Sequence, residues 1–512
     1  MTRVRSSGVA KEDEISAKDY YEYLKRYSVE ESIRYIAIQS RNMFINGILK
    51  KTEDLSLYNE WAMAFMAKGI ILSSNDHKRR CLNVAEFEKS LYKFNSVEVV
   101  FEEEAEEADG LAAFGALHKI SYQQFPYQTE DYRMLIARSL ELFEIIPSEI
   151  DGAKFNIKQE LHKIYGMSAS ELAKLGFALF FSSDDGTVSK DNILNAEISR
   201  ELKDLAHNYD IDRVLDRISI DYQGFRSEVG EEVDGTEQYN FNPLRKYPVV
   251  RTEKNNLAIA PITKLLVEKL SSGHFFTLMD EFKVGKGTNI FLDFFGKEIF
   301  ERYVGKLLEN YFKASEIIPE FDYTIGRNTL RSSDWIIIQV PVAILIECKT
   351  SGLNIRSKTS SSRQTVQSDV HKTFMSAMSQ MNRFESDARS GNTQKSYFDE
   401  VTSYLYVAIT FDQVTSVLFN RLFKLSLEAA GYNYNKCFAF NISDLESIEG
   451  LLGECSFMEV LNGLRKDMKQ MHWSTYDLIR KAYRERGVTQ KYNSHLFKLY
   501  QDFQDEWLKP LT

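Results

Sequence analysis

Proline and glycine are scarce in this sequence, at 8 and 25 of 512 residues. So few breakers favour a helix-rich architecture. Cysteine is scarcer still: Cys81, Cys348, Cys437 and Cys455 lie far apart with no paired spacing. That pattern excludes a disulfide framework and a zinc-ligand set, and it points to a reducing compartment. No apolar run approaches the ~20 residues needed to cross a bilayer. The longest, Trp61 to Leu72, is interrupted by Lys68. The opening Met1-Thr2-Arg3-Val4-Arg5, followed by polar residues, lacks the apolar segment of a secretory signal. The expectation is a cytoplasmic protein without a membrane partner. An excess of basic charge is also missing, the formal net charge being −10. A basic coat is thereby excluded, but a local basic groove able to hold phosphates is not.

What is present is a globular composition, 43% apolar and 27% charged. The length exceeds one ordinary core, so two or three domains are expected. Residues 12 to 225 read as largely helical. Glu30 to Leu49 and Tyr132 to Phe143 place apolar residues three and four apart, and Ser168 to Glu171 resembles a capped helix start. The acidic run Glu102 to Glu107 reads most simply as a solvated face, with a metal site or DNA mimic as the lesser reading. No repeat or chemical motif marks residues 1–235, read as a helical domain of unknown role, with recognition, sensing or assembly as the options. A polar stretch from Arg226 to Tyr247, with a turn at Asn242-Pro243, marks the boundary, and residues 236–284 form a connector.

From residue 285 the pattern becomes mixed α/β. Phe291 to Phe312 reads as a helix. Asp334 to Val340 and Val342 to Cys348 are β-branched runs with Pro341 at the turn between them. Thr350 to Ser368 reads as a mobile polar loop. A helix over Val370 to Ala388 follows, then strands at Ser403 to Thr410 and Lys436 to Phe440, and a further helix opening at Asn441. This core spans residues 285–460, and a charged helical segment occupies 461–512.

Alternate residues of a strand face opposite sides. In the run from Ala343 to Lys349, Glu347 and Lys349 therefore share one side, while Ile344, Ile346 and Cys348 share the other. A carboxylate and an ammonium ending an otherwise apolar strand are costly unless they pair or bind something. A turn at Pro341 would fold the strand headed by Asp334 back beside them. Convergent carboxylate oxygens suit a hard cation, Mg²⁺ or Mn²⁺, and such an ion activates phosphodiesters toward hydrolysis. An adjacent lysine orients water or neutralises charge developing on phosphorus. The bland alternative is a solvated Glu347–Lys349 salt bridge.

Asp334, followed on the next strand by Glu347-Cys348-Lys349, resembles the PD-(D/E)xK nuclease superfamily. The stretch Phe295 to Val304 is similar to that superfamily's first core helix, with Glu301 a better match than Glu298 for its glutamate. The resemblance covers residues 285 to 460. It implies an α/β (α+β) restriction-endonuclease-like core beneath the helical N-terminal part. It further implies that Asp334, Glu347 and the Cys348 carbonyl hold the metal, that Lys349 assists the water, and that Glu301 supports the site. Two positions depart from the pattern. Ser333 replaces the proline before the aspartate. Gln380 and Phe384 stand where some branches carry glutamine and tyrosine four apart on the next helix, so only the glutamine role carries over.

Other signals are weaker. Val284 to Thr288 hints at a phosphate loop, but Gly287 separates Gly285-Lys286 from Thr288 and a turn is the plain reading. His371 is read as an ordinary helix residue, with a contact to the site or to DNA as the lesser alternative. Arg327, Arg331, Arg356, Lys358 and Arg363 cluster in sequence around the site, either as contacts to nucleic-acid phosphates or as a solvated loop. The resulting expectation is a metal-dependent DNA endonuclease of restriction or anti-phage type, with an oligomer or partner protein engaged through the N-terminal helices. The alternatives are a non-catalytic nucleic-acid- or protein-binding platform on a degenerate nuclease fold, and an interaction protein dominated by its N-terminal helices.

Overall fold

The computed structural model describes residues 14–48, 59–97, 111–123, 131–230, 237–283, 289–350, 352–359, 363–413, 416–468 and 475–507. The acidic run Glu102 to Glu107 and the stretch Val284 to Thr288 lie outside them. The chain is mixed α/β, with a helical N-terminal half and its larger sheet in the C-terminal half.

Helix starts follow their caps. Ser168 and Glu171 form a reciprocal capping box at Ala169–Phe181, and Asn441 and Asp444 form another at Ile442–Ser447. The apolar run around Lys68 is the buried helix Glu60–Ser73, in which the Lys68 ammonium donates to the Glu237 carbonyl at 3.2 Å. No described helix is long and apolar enough to cross a membrane. In the middle of the chain, β1 (Ser219–Asp221), β2 (Val249–Arg251) and β3 (Ala258–Ile259) make a small sheet, β1 and β2 parallel, β2 and β3 antiparallel.

The larger sheet has five strands in the order β10-β9-β8-β7-β4. These are β4 (Ile317–Pro319), β7 (Trp335–Gln339), β8 (Val342–Lys349), β9 (Ser403–Thr410) and β10 (Cys437–Asn441). β8, β9 and β10 run parallel, while β7 is antiparallel to both β8 and β4. Between β4 and β7 the chain makes a separate hairpin, β5 (Asp322–Ile325) with β6 (Asn328–Arg331), turning at Gly326 with φ +62°. The sequence reading did not include β4, β5 or β6.

Two helices sandwich this sheet. The first core helix, residues 290–311, contains a π-helical stretch at Phe295–Phe300. Its Gly305 permits close approach to the sheet: a Cβ there would lie 2.2 Å from the Trp335 ring. The second core helix, residues 363–389, begins earlier than the spacing suggested. The expected loop from Thr350 to Ser368 is thus partly helical, over Ile355–Thr359 and from Arg363. The Asp369 carboxylate accounts for this order. It accepts the Asn354 main-chain N–H at 2.8 Å and the Ser357 hydroxyl at 2.7 Å, bonds absent from any reading of periodicity.

β8 separates two apolar clusters. Val342, Ile344, Ile346 and Cys348 pack with Phe295, Tyr303 and Leu307 of the first core helix, in a cluster that extends to Ile136, Leu161 and Trp507. Ala343 and Leu345 pack with Met378, Met381 and Phe384 of the second. The first cluster crosses residue 235, joining helices on either side of it. A polar link accompanies it: Arg138 donates two hydrogen bonds to Glu446, at 2.7 and 2.6 Å, and the Tyr303 hydroxyl donates to the same carboxylate at 2.6 Å. A third cluster joins Tyr20, Ile33, Phe65 and Ile70 to Phe225 and Ile259.

Candidate active site

The alternation that buries Ala343 and Leu345 beneath the second core helix carries Glu347 and Lys349 to that same side. There the Lys349 ammonium donates to Glu347 Oε2 at 2.8 Å and to Gln380 Oε1 at 2.9 Å. Asp334 immediately precedes β7, and its Oδ2 accepts the Cys348 N–H at 2.6 Å. The N–H and C=O of one residue in an extended strand point to the same edge. The Cys348 carbonyl therefore faces Asp334, past the last β7–β8 pair at Trp335 and Ile346. The structure brings Asp334, Glu347, Lys349 and Gln380 together as the sequence arranged them.

Glu301 approaches from the first core helix. Its main-chain carbonyl accepts the Trp335 indole N–H at 3.0 Å, which ties that turn to the residue after Asp334. Glu298 instead pairs with Arg302 at 3.2 Å. Glu320, at the end of β4, is a further carboxylate that the sequence reading missed. Its N–H donates to the Asp334 carbonyl at 2.9 Å, and its side chain lines the same recess.

So many carboxylates in one partly dry place cannot all ionise easily. Burial, then the charge of Asp334, pushes Glu301 up to about 8. Burial and Asp334 likewise push Glu347, only 4% exposed, up to about 7, against the opposing pull of Lys349. Asp334 is also raised, chiefly by burial, although the Cys348 N–H favours its charged form. Burial works against the charge of Lys349, yet Glu347 and Asp334 together hold the ammonium above its ordinary value. The Cys348 thiol is pushed well up by burial and stays protonated, so only the carbonyl of that residue is available to a cation.

Among the described residues there is no group of three or more His, Cys, Asp or Glu that could hold a metal ion. Two carboxylates and a backbone carbonyl fall below that number by composition, and Mg²⁺ commonly completes such a set with water. The donors are all hard oxygens, and their mutual repulsion is what a divalent cation relieves. On this chemistry the residues fit the ion.

The site opens into a recess of about 410 Å³ lined by Asp334, Glu347, Glu320 and Gln380 together with Thr329, Leu330, Arg331, Ser332 and Arg383. Of the basic residues expected near nucleic acid whose side chains are described, Arg331 alone lines it. Arg327 is exposed at the tip of the β5–β6 hairpin. Lys358 is turned away into an ion pair with Asp412, over the Tyr122 ring. Arg363 opens the second core helix, and the Arg356 side chain lies outside the described residues. Arg383, three residues beyond Gln380 and so on the same helix face, was missed. The remaining sequence signals resolve structurally. Phe384 is packed among Phe321, Tyr323 and Phe398, and His371 lies 3.4 Å from the Ser426 hydroxyl. The buried Ser333 hydroxyl has no hydrogen-bond partner.

Comparison of the chain with protein-family models and with curated proteins returns no match.

Proposed function

We propose that this chain is a Mg²⁺- or Mn²⁺-dependent nuclease of the PD-(D/E)xK type, hydrolysing phosphodiester bonds in DNA. The observation that carries this reading is the convergence of Asp334, Glu347, the Cys348 carbonyl and Lys349, with the carboxylates of Asp334 and Glu347 lining one open recess. A simple surface salt bridge would not need a second carboxylate locked against the same strand.

Asp334, Glu347 and the Cys348 carbonyl would hold the ion, whose contribution is to polarise the phosphodiester and acidify water. Asp334 is fixed for this by the Cys348 N–H. Lys349, kept protonated by Glu347 and aimed by Gln380, donates hydrogen bonds to attacking water or to oxygens gaining charge on phosphorus. Glu301, protonated at neutral pH while the site is metal-free, can ionise when positive charge arrives. A restriction or anti-phage role, with the helical N-terminal part engaging a partner or a second copy, rests on analogy with the resemblance alone.

Against a non-catalytic platform stands the retention of all three ionisable residues within reach of one another. The test is hydrolysis of plasmid and single-stranded DNA in Mg²⁺ or Mn²⁺, with Asp334→Asn and Lys349→Met alongside. Cleavage by the parent alone supports the reading. A parent that neither cleaves nor gains thermal stability with either metal favours the platform.

A further inference from the structure

Two arginines reach the recess from different elements, and one of them is loosely held. Arg331 is the last residue of β6, and Arg383 lies on the second core helix. The Arg383 guanidinium donates to the Arg331 main-chain carbonyl at 3.5 Å, so the two residues adjoin at one wall. Their supports are braced together. The Tyr323 hydroxyl on β5 donates to Asp387 at 2.7 Å, one helical turn beyond Arg383, and the Phe321 and Tyr323 rings pack on Phe384. The Arg331 side chain is 57% exposed and pairs with Glu320 at 3.7 Å and with Asp322 at 3.6 Å. These distances are long for charge-assisted hydrogen bonds, and such exposed pairs are weak. A phosphodiester, matching the guanidinium fork, competes well for the same donors.

We propose that Arg331 and Arg383 form a clamp for a backbone phosphate beside the scissile one, with Glu320 holding Arg331 until substrate replaces it. This rests on the nuclease reading and assigns its recess a contact to the backbone rather than to bases. The lining agrees: eight of its nine residues are polar or charged, Leu330 is the exception, and none is aromatic. A pocket built to stack a base would present a ring. A contact to the backbone carries no sequence information, so the clamp itself acts alike on any sequence.

The test is fluorescence anisotropy of the full chain with a labelled duplex oligonucleotide of two unrelated sequences, in Ca²⁺ to balance the carboxylates, across a salt series. Arg331→Gln and Arg383→Gln should each weaken binding about 5- to 10-fold on both sequences and lower the salt slope by about one. Arg389→Gln, on the same helix but paired with Glu385 away from the recess, should leave the slope unchanged. Glu320→Gln, which frees Arg331, should bind more tightly than the parent. The clamp is overturned if both arginine variants keep the parental affinity and slope. It is equally overturned if Glu320→Gln weakens binding as they do, or if the parent does not bind. Cleavage in Mg²⁺ is read separately. A parent that cuts while the arginines leave binding untouched loses the clamp and keeps the nuclease. Arginine-dependent binding without cutting keeps the clamp and removes the nuclease.

Discussion

The Asp334 carboxylate accepts the main-chain N–H of Cys348 at 2.6 Å, so the residue heading β7 is fastened to the strand that carries Glu347 and Lys349. One bond thereby does two things. It satisfies a strand-end donor that β7 no longer reaches, and it sets the carboxylate beside the Cys348 carbonyl.

These two roles separate by substitution. Asp334→Asn keeps an acceptor oxygen for the N–H and removes the charge. It should retain the parental thermal stability while losing about 100-fold or more in cleavage rate, the scale on which a lost charge-stabilising group is felt. Asp334→Ala also strands the donor, at a cost of about 1–3 kcal/mol. Thermal denaturation beside a cleavage assay distinguishes the two variants.

Lys349 both opposes the raised affinity of Glu347 for protons and donates toward the recess. In Lys349→Met the Glu347 carboxyl should titrate higher still, so metal affinity at neutral pH falls and recovers at alkaline pH. The cleavage rate should not recover, remaining about 100- to 10,000-fold down because the donor itself is gone. Calorimetric metal titration at two pH values, beside rates at the same pH, checks both halves.

The raised carboxylates make the metal-free fold sensitive to alkali. A carboxyl whose folded value lies above its ordinary value stabilises the fold fully below that ordinary value and loses the contribution as pH rises through the folded value. For Glu301 and Glu347 the window runs from 4.5 to about 8 and about 7 respectively. In chelator, Glu301→Gln should match the parent near pH 4 and exceed it in melting temperature near pH 9. Added Mg²⁺ should narrow the gap at pH 9, because it binds the ionised form preferentially.

Gly305 is a packing requirement of the site. In Gly305→Ala the new methyl meets the Trp335 ring at a separation of 2.2 Å, and neither backbone element can yield easily. Overpacking of this kind costs about 1–3 kcal/mol. The shifted indole should lose its bond to the Glu301 carbonyl. A changed tryptophan fluorescence spectrum and a reduced cleavage rate are expected together, with metal affinity falling less than in Asp334→Asn.

Lys358 was expected to contact phosphate, yet its side chain is 14% exposed and paired with Asp412. Lys358→Ala should cost stability, up to about 3 kcal/mol as a broken, largely buried pair. The salt slope of DNA binding should not change. A shifted slope would return Lys358 to the nucleic-acid surface.

The convergence of Asp334, Glu347 and Lys349 was legible because a strand's two-residue period is strict. An apolar run ending in Glu347 and Lys349 fixes their common side, and Pro341 fixes the return from Asp334. Gln380 was readable only through the resemblance, since nothing in its own helix marks it. The β5–β6 hairpin escaped because its strands are four residues each and mostly polar or exposed, leaving no periodic signal. Glu320 went unnoticed because β4 brings it to the recess, and Arg383 because the hairpin residue beside it, Arg331, closes the wall that it lines. The Thr350–Ser368 segment was misread for a related reason. Its order comes from Asp369 reaching back to Asn354 and Ser357, a tertiary arrangement that composition conceals.

The most direct test of the central claim is cleavage of supercoiled plasmid and single-stranded DNA by the purified full chain in Mg²⁺ and Mn²⁺. The account predicts hydrolysis by the parent, abolished by chelator, restored by added metal, and absent from folded Asp334→Asn and Lys349→Met. Cleavage that survives in both variants, or a parent that neither cuts nor gains thermal stability with either metal, would contradict it.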